Sequence, residues 1–193
     1  MRILVVYAHP VEESFVGGLH RTVVDTLTEA GHEVDDCDLY AEGFSPVLTR
    51  QERLDYHDVS LNRKNVEGYV ERLLAAEAMV TVHPVWNFGY PAILKGYFDR
   101  VFLPGVSFDM VNDNVKPCLH NIRKYASVVT YGGSRFRAFI AGDPPRKLAK
   151  RVIRVTIKPG ARLHYLAHYD MNHTRPETRA AFLEKVRRTM RTF

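Results

Sequence analysis

Cysteine is nearly absent from this 193-residue chain: Cys37 and Cys118 are the only two, far apart and in no metal-binding spacing. A disulfide framework and a thiolate zinc site are therefore excluded, and a reducing, cytoplasmic setting is expected. Tryptophan occurs once, as Trp86. No apolar run approaches the roughly 20 residues that cross a bilayer. Residues 1–7 carry one basic residue and too short an apolar run for a secretory leader. Repeats, low-complexity tracts and a flexible linker are also missing, so residues 1–193 read as a single domain. With 46% hydrophobic and 25% charged residues, the chain has the balance of a soluble protein that buries a core without covalent staples.

Several reaction classes fall with their motifs. There is no Walker-type phosphate loop, no Gly-x-Gly-x-x-Gly after the first strand, no Gly-x-Ser-x-Gly elbow and no His-Glu-x-x-His. His164 and His168 stand four apart, but without a carboxylate or thiol at zinc-like spacing, so no metal is expected. Ala8-His9 occupies the place where a phosphoryl receiver would carry acidic residues.

Charge is unevenly distributed. Residues 1–96 hold 8 Lys/Arg against 15 Asp/Glu, a balance of −7, and residues 97–193 hold 19 against 7, a balance of +12. A basic half suits a nucleic acid or a phosphorylated cofactor, and composition alone does not choose between them.

Two hydrophobic periods alternate along the chain. Ile3–Tyr7 is an unbroken, β-branched run suited to a central parallel strand. Val16, Leu19, Val23, Leu27 and Ala30 recur at helical steps between a Ser14 cap and Gly31. Residues 33–39 predict a polar edge strand, and 40–65 a long polar connection with a short helix over 50–56. A helix over 66–77, a strand over 78–83, a helix over 92–102 and a strand over 125–131 follow. A basic helix over 144–155 is expected to turn Leu148, Val152 and Val155 inward. A strand over 161–167 and a helix over 176–190, with Ala180, Leu183 and Val186 inside, end the pattern. Such alternation predicts a three-layer α/β fold, flavodoxin-like, with a five-stranded parallel sheet in order 2-1-3-4-5 and helices on both faces. Ligands of such sheets sit outside the strand C-termini at the switch point.

Three loops converge there. The first, residues 8–18, leads into a helix N-terminus where free N–H groups favour an anion. Ser14 can donate to a phosphate or merely cap the helix, and His9-Pro10 can add a donor or merely turn. Gly17 and Gly18 in the first helical turn each cost about 1 kcal/mol relative to Ala, so close packing or a close ligand must offset them. The second loop, His83-Pro84-Val85-Trp86-Asn87-Phe88-Gly89-Tyr90-Pro91, concentrates aromatic residues between prolines. It offers flat apolar faces for a planar ring system, or an aromatic cluster that packs on a neighbour. The third, Thr130-Tyr131-Gly132-Gly133-Ser134-Arg135, lets backbone N–H groups approach a ligand or simply turns the chain.

These residues together resemble the NAD(P)H:quinone reductase family. The likeness is carried by His9-Pro10 with Ser14-Phe15, Asp38-Leu39-Tyr40 with Phe44-Ser45-Pro46, and above all the Pro91–Gly96 stretch followed by Asp99-Arg100-Val101. It covers most of residues 1–135 and weakens beyond Arg135. The resemblance implies a flavodoxin-like homodimer that binds FAD or FMN. Hydride would pass from NAD(P)H through the flavin to a quinone or similar two-electron acceptor. It places His9, Ser14, Phe15 and Val16 at the flavin phosphates and Pro84, Val85, Trp86, Asn87 and Phe88 around the ring. Thr130, Tyr131, Gly132 and Gly133 fall at the pyrimidine end, and Phe108 lines the partner subunit's pocket. Trp86, Phe88, Tyr131, Arg135 and Phe108 are thus the residues expected closest to the chemistry.

The chain also departs from the pattern. Val16 replaces a common Asn, and residues 134–143 lack the Tyr and His that family members carry after the glycine pair. Arg135 or Arg137 is the candidate to stabilise a reduced, anionic flavin instead. Two rival functions remain at this stage. One is a slow flavoprotein that regulates a membrane transporter. The other is a nucleic-acid module built on Arg135–Arg154, whose cations equally suit a solvated helix face or a cofactor phosphate.

Overall fold

The computed structural model describes residues 1–112 and 114–193. Among these, the strands β1 (Arg2–Tyr7), β2 (Glu33–Asp38), β3 (Ala78–Val85), β6 (Lys124–Tyr131) and β7 (Arg162–His168) form one sheet in order β2-β1-β3-β6-β7. Every neighbouring pair is parallel. A separate antiparallel hairpin, β4 (Phe108–Val111) with β5 (Asn114–Pro117), intervenes, so the predicted fourth and fifth strands of the main sheet are β6 and β7.

Alternate residues of each central strand feed opposite layers. Ile3, Val5 and Tyr7 of β1, with Val80 and Val82 of β3, pack under α1 (Phe15–Glu29) and the C-terminal helix α8 (Pro176–Arg191). Leu4, Val6 and Met79 face the other way, toward α3 (Glu67–Ala75) and α4 (Ala92–Val101). Leu19 and Leu27 of α1 are fully buried, which stabilises the layer by about 1.5–3 kcal/mol for each side chain. β2 lies at the margin, as its polarity predicts. Arg72 ties down its Asp35 through Nε (2.8 Å), and His20 Nε2 sits 2.7 Å from Asp36.

The family-like stretch at Pro91–Val101 is a packing device. A Cβ on Gly96 would stand 2.3 Å from the Pro46 carbonyl oxygen, so only glycine lets α4 approach the 40–65 connection this closely. One turn later, Arg100 donates through Nε to Glu52 Oε1 (3.1 Å) and also bonds the Ser45 carbonyl. Both members of this ion pair are under 10% exposed, at 9% and 8%. Glu52 belongs to the short helix α2 (Arg50–Leu54), where it completes a capping box with Thr49. Burial alone would raise its carboxyl, but the Thr49 N–H and the Arg100 guanidinium outweigh that and hold it below the usual carboxylate range.

Three helical segments differ from the periodicity reading, which also placed no strands between residues 102 and 125. A short helix α5 (Arg135–Ile140) follows loop three, capped by Ser134. Residues 144–156 are helical as expected, but in the sequence α6 (Pro144–Lys147), a π-helical segment Leu148–Ile153, and α7 (Arg154–Thr156). Its buried face is Pro145, Ala149 and Ile153, while Val152 and Val155 are exposed. A wider π-turn repeats every four residues or more, so a 3.6-residue template misplaces its inner side. In α8 the inner residues are Phe182, Val186 and Met190, with Ala180 outside. Of the expected stripe, Val186 is buried and Leu183 packs partly buried against the same layer, so only Ala180 is misplaced.

Candidate active site

β1, β3 and β6 are adjacent, so the loops after Tyr7, Val85 and Tyr131 open side by side at the C-terminal edge of the sheet. Loop one folds back over the start of α1. A Cβ on Gly17 would meet the Glu12 carbonyl oxygen at 2.1 Å, whereas one on Gly18 would meet nothing within 4 Å. Gly17 therefore serves backbone packing within the loop, the offset its helix-breaking cost demands.

Ser14 is the cap: its hydroxyl accepts from the Gly17 N–H (3.1 Å) and bonds His9 Nδ1 (3.2 Å). The Val11 N–H also points to Nδ1 (3.0 Å). The Val11 carbonyl lies equally close to Nδ1 (3.0 Å), so in the neutral ring this nitrogen accepts from the N–H in one tautomer and donates to the carbonyl in the other. Burial, the main cause, pushes the His9 pKa down and favours this neutral form. The Phe15 and Val16 N–H groups find no acceptor among the described residues, leaving two donors at the positive end of a 15-residue helix. Phe15 packs edge-on against His168 (5.6 Å between centroids). His168 is buried at the end of β7, and its Nδ1 has no hydrogen-bond partner.

Loop two is a tight hairpin turn. Trp86 and Gly89 exchange backbone hydrogen bonds (3.2 and 2.8 Å), and the two residues between them, Asn87 (φ 48°) and Phe88 (φ 56°), are both left-handed. Asn tolerates this conformation; for Phe it costs about 1–2 kcal/mol. The Trp86 and Phe88 rings remain 42% and 38% exposed. Strain and solvent-facing aromatic area thus coincide at one turn. His9 joins loops one and two, its ring 5.8 Å from that of Trp86. Pro84 and Val85 are buried behind the turn.

Loop three keeps its backbone open. A Cβ on Gly132 would meet only the Asn172 side chain, at 3.5 Å, and one on Gly133 only that of Arg137, at 3.7 Å. Thr130 and Tyr131 are buried, so their backbone rather than their side chains faces the edge. The Tyr131 hydroxyl donates to Asp143 Oδ1 (2.5 Å) and meets the Tyr165 hydroxyl (2.5 Å). Burial, reinforced by Asp143, pushes both phenols above their ordinary pKa and keeps them neutral. Arg146 stands beside Asp143, with Nε 3.0 Å from Oδ2 but off the hydrogen-bond direction, and bonds the Tyr169 hydroxyl (2.8 Å). No sequence signal links Tyr131, Asp143, Arg146, Tyr165 and Tyr169, because their partnership depends on how the 135–156 segment folds over β7.

Two expected residues lie elsewhere. Phe108 lines a cavity of about 550 Å³ with Tyr56, Tyr90, Phe98 and Phe102, beside rather than within the three-loop edge. Arg135 opens α5 and faces a second cavity. No group of three or more His, Cys, Asp or Glu side chains suited to a metal occurs among the described residues. Among them, too, no helix is long and apolar enough to cross a membrane.

Some known proteins align with this chain along nearly its whole length, and others along about half of it. A solved structure, Smu.1420 from Streptococcus mutans, superposes with a TM-score of 0.86 at 27% identity and covers 100% of both chains. The NAD(P)H dehydrogenase (quinone) 1 of Rattus norvegicus is 27% identical over 218 residues, covering 99% of this chain and 77% of its own. The uncharacterized NAD(P)H oxidoreductase YcaK of Escherichia coli is 32% identical over 108 residues. That match spans 55% of this chain and about half, 55%, of the relative's own length. The family model described as flavodoxin-like fold (Flavodoxin_2) matches residues 1–191. The chain belongs to this flavodoxin-like family.

Proposed function

We propose that this chain is a flavin-dependent NAD(P)H oxidoreductase that reduces a quinone or a similar two-electron acceptor. The observation that carries the reading is the pairing, on adjacent strands, of a helix opening with two uncommitted N–H donors and a strained aromatic turn. The residues present fit a flavin. The Phe15 and Val16 N–H groups, with His9 beside them, would face its phosphate, Trp86 and Phe88 would offer a platform for its ring, and Gly132 and Gly133 accessible backbone at its far end. The names of the rat and E. coli relatives point to the same reaction class.

When bound, a flavin supplies the redox chemistry, passing a hydride from NAD(P)H and then two electrons to the acceptor, with NAD(P)⁺ and hydroquinone as products. The chain's residues bind and orient. Neutral His9 and the α1 opening hold an anion without a proton change, and Trp86 and Phe88 keep water from one ring face. Gly132 and Gly133 give the pyrimidine edge backbone donors. Arg135 or Arg137, just beyond the Ser134 cap, would stabilise a reduced ring; Arg137 packs beside Gly133 at the loop-three edge, and Arg135 faces the neighbouring cavity. The chain acts as one domain, pairs as a homodimer through the Phe108 side and works in the cytoplasm. No side chain serves as a nucleophile, and alternation of two substrates at one face gives ping-pong kinetics.

The test is direct. The purified protein is expected to be yellow, to release FAD or FMN on denaturation, and to bleach anaerobically with NADH or NADPH. A colourless protein that takes up neither flavin overturns the reading.

A further inference from the structure

Beyond loop three lies a cavity of about 340 Å³ whose wall carries Arg135, Arg146, Lys147, Lys150 and Arg151. Its one carboxylate, Asp143, is already engaged by Arg146 and by the Tyr131 hydroxyl. Arg135, Lys147, Lys150 and Arg151 have no ion-pair partner among the described residues. Lys147, Lys150 and Arg151 line the same cavity, where their mutual repulsion is not offset by a carboxylate of their own among the described residues. Lys150 and Arg151 lie on the π-helical turn Leu148–Ile153, a geometry that is rare and concentrated at functional sites. Such convergence is relieved by a bound dianion. A phosphate monoester suits it best, since its oxygens accept a guanidinium fork and several ammonium groups at once.

Two aromatic side chains define the rest of the ligand. Phe139 lines the cavity with its ring 77% exposed, which offers a stacking face for a base. Tyr169, also in the cavity lining, stacks on Tyr131 with centroids 4.5 Å apart. Tyr131 is the last residue of β6 before loop three, so one aromatic layer separates the cavity from the three-loop edge. The volume suits a mononucleotide rather than a polymer.

We propose that this cavity binds the 2′-phosphoadenosine end of NADPH and so makes the protein selective for NADPH over NADH. Lys147, Lys150 and Arg151 hold the 2′-phosphate, and Arg135 and Phe139 the adenosine. The assignment rests on the function proposed above, in that the nicotinamide end of the same molecule reaches the platform.

Titration calorimetry of the purified protein with 2′,5′-ADP and with 5′-AMP isolates the 2′-phosphate. 2′,5′-ADP is expected to bind at least about tenfold more tightly, and to compete with NADPH in steady-state assays. Lys150→Glu and Arg151→Glu are expected to erase that difference and to lower the NADPH:NADH ratio of kcat/KM by about tenfold, with the circular dichroism spectrum unchanged. Equal affinities for the two nucleotides, an unchanged ratio in both variants, or tighter binding of a short RNA oligomer than of 2′,5′-ADP overturns the assignment. A yellow, active protein without the 2′-phosphate preference retains the proposed function and loses this site. A colourless protein loses the function, and the titration still decides the cavity.

Discussion

Gly96 and Pro46 touch backbone to backbone: a Cβ added to Gly96 would lie 2.4 Å from the Pro46 Cα. The contact locks the 40–65 connection onto α4, below the three-loop edge. Gly96→Ala is expected to destabilise the protein by about 1–3 kcal/mol, at the upper end because backbone must move. Urea unfolding checks this; an unchanged midpoint would mean that the connection shifts freely.

The Glu52–Arg100 pair secures the same contact one turn on. Removing one partner leaves a buried, unpaired charge, so Glu52→Gln and Arg100→Met are each expected to cost about 3–5 kcal/mol, and the double variant less than their sum. The double-mutant cycle measures the coupling. The Glu52 carboxyl is held below the 4.5 of an unperturbed glutamate, so its contribution is complete above that pH and lost as pH falls through the lower folded value.

His83 gives the protein a second acid-sensitive range. It is fully buried in β3, and its Nδ1 lies 2.9 Å from the Pro84 carbonyl. Burial pushes its pKa from 6.5 down to about 4. The folded state therefore resists protonation that the unfolded chain accepts. Stability is complete above pH 6.5 and declines between there and about pH 4 by about 3 kcal/mol. Unfolding free energies at several pH values should show that slope, and His83→Gln should flatten it.

Ser14 separates capping from phosphate binding. Ser14→Asp keeps an acceptor for the Gly17 N–H, so stability should stay within about 0.5 kcal/mol, but it sets a negative charge against the anion site. Flavin affinity is expected to fall at least about tenfold. Ser14→Ala should instead cost about 1 kcal/mol of stability. Fluorescence titration of the apoprotein with FMN and FAD reads the first effect, and thermal unfolding the second.

Phe88 exchanges stability for surface. With glycine the left-handed turn is unstrained, so Phe88→Gly is expected to leave the unfolding free energy unchanged or raised by up to about 1 kcal/mol. The loss of a stacking face should weaken flavin binding by about tenfold. A variant that is less stable yet retains its cofactor would show that the ring is simply core.

The sheet was legible in the sequence because each central strand is an uninterrupted apolar run and each crossover helix has an apolar stripe. Polar Glu33–Asp38 marked its own margin. The three loops were legible because glycine, proline and exposed aromatic residues depart from ordinary loop chemistry. What lay hidden depends on contacts between distant segments. Tyr131 and Asp143 share a hydrogen bond only because the 135–143 segment folds back toward β6, and Gly17 admits either close packing or a close ligand until Glu12 is seen to lie against it. The 144–156 helix misled in a different way, since its π-turn moves the buried face to Pro145, Ala149 and Ile153 while the composition still suggests an ordinary stripe.

The strand order sorts the chain's charge in space. β2, at one margin, has four acidic residues and no basic one, and β7, at the other, has Arg162 and no acidic residue. A sequence that is negative in its first half and positive in its second thus becomes a molecule with a permanent electrical polarity in the plane of its sheet. An anionic ligand is then expected to be steered toward the β7 flank. Its encounter rate, more than its final grip, should fall steeply as salt shortens the reach of that field to about 8 Å.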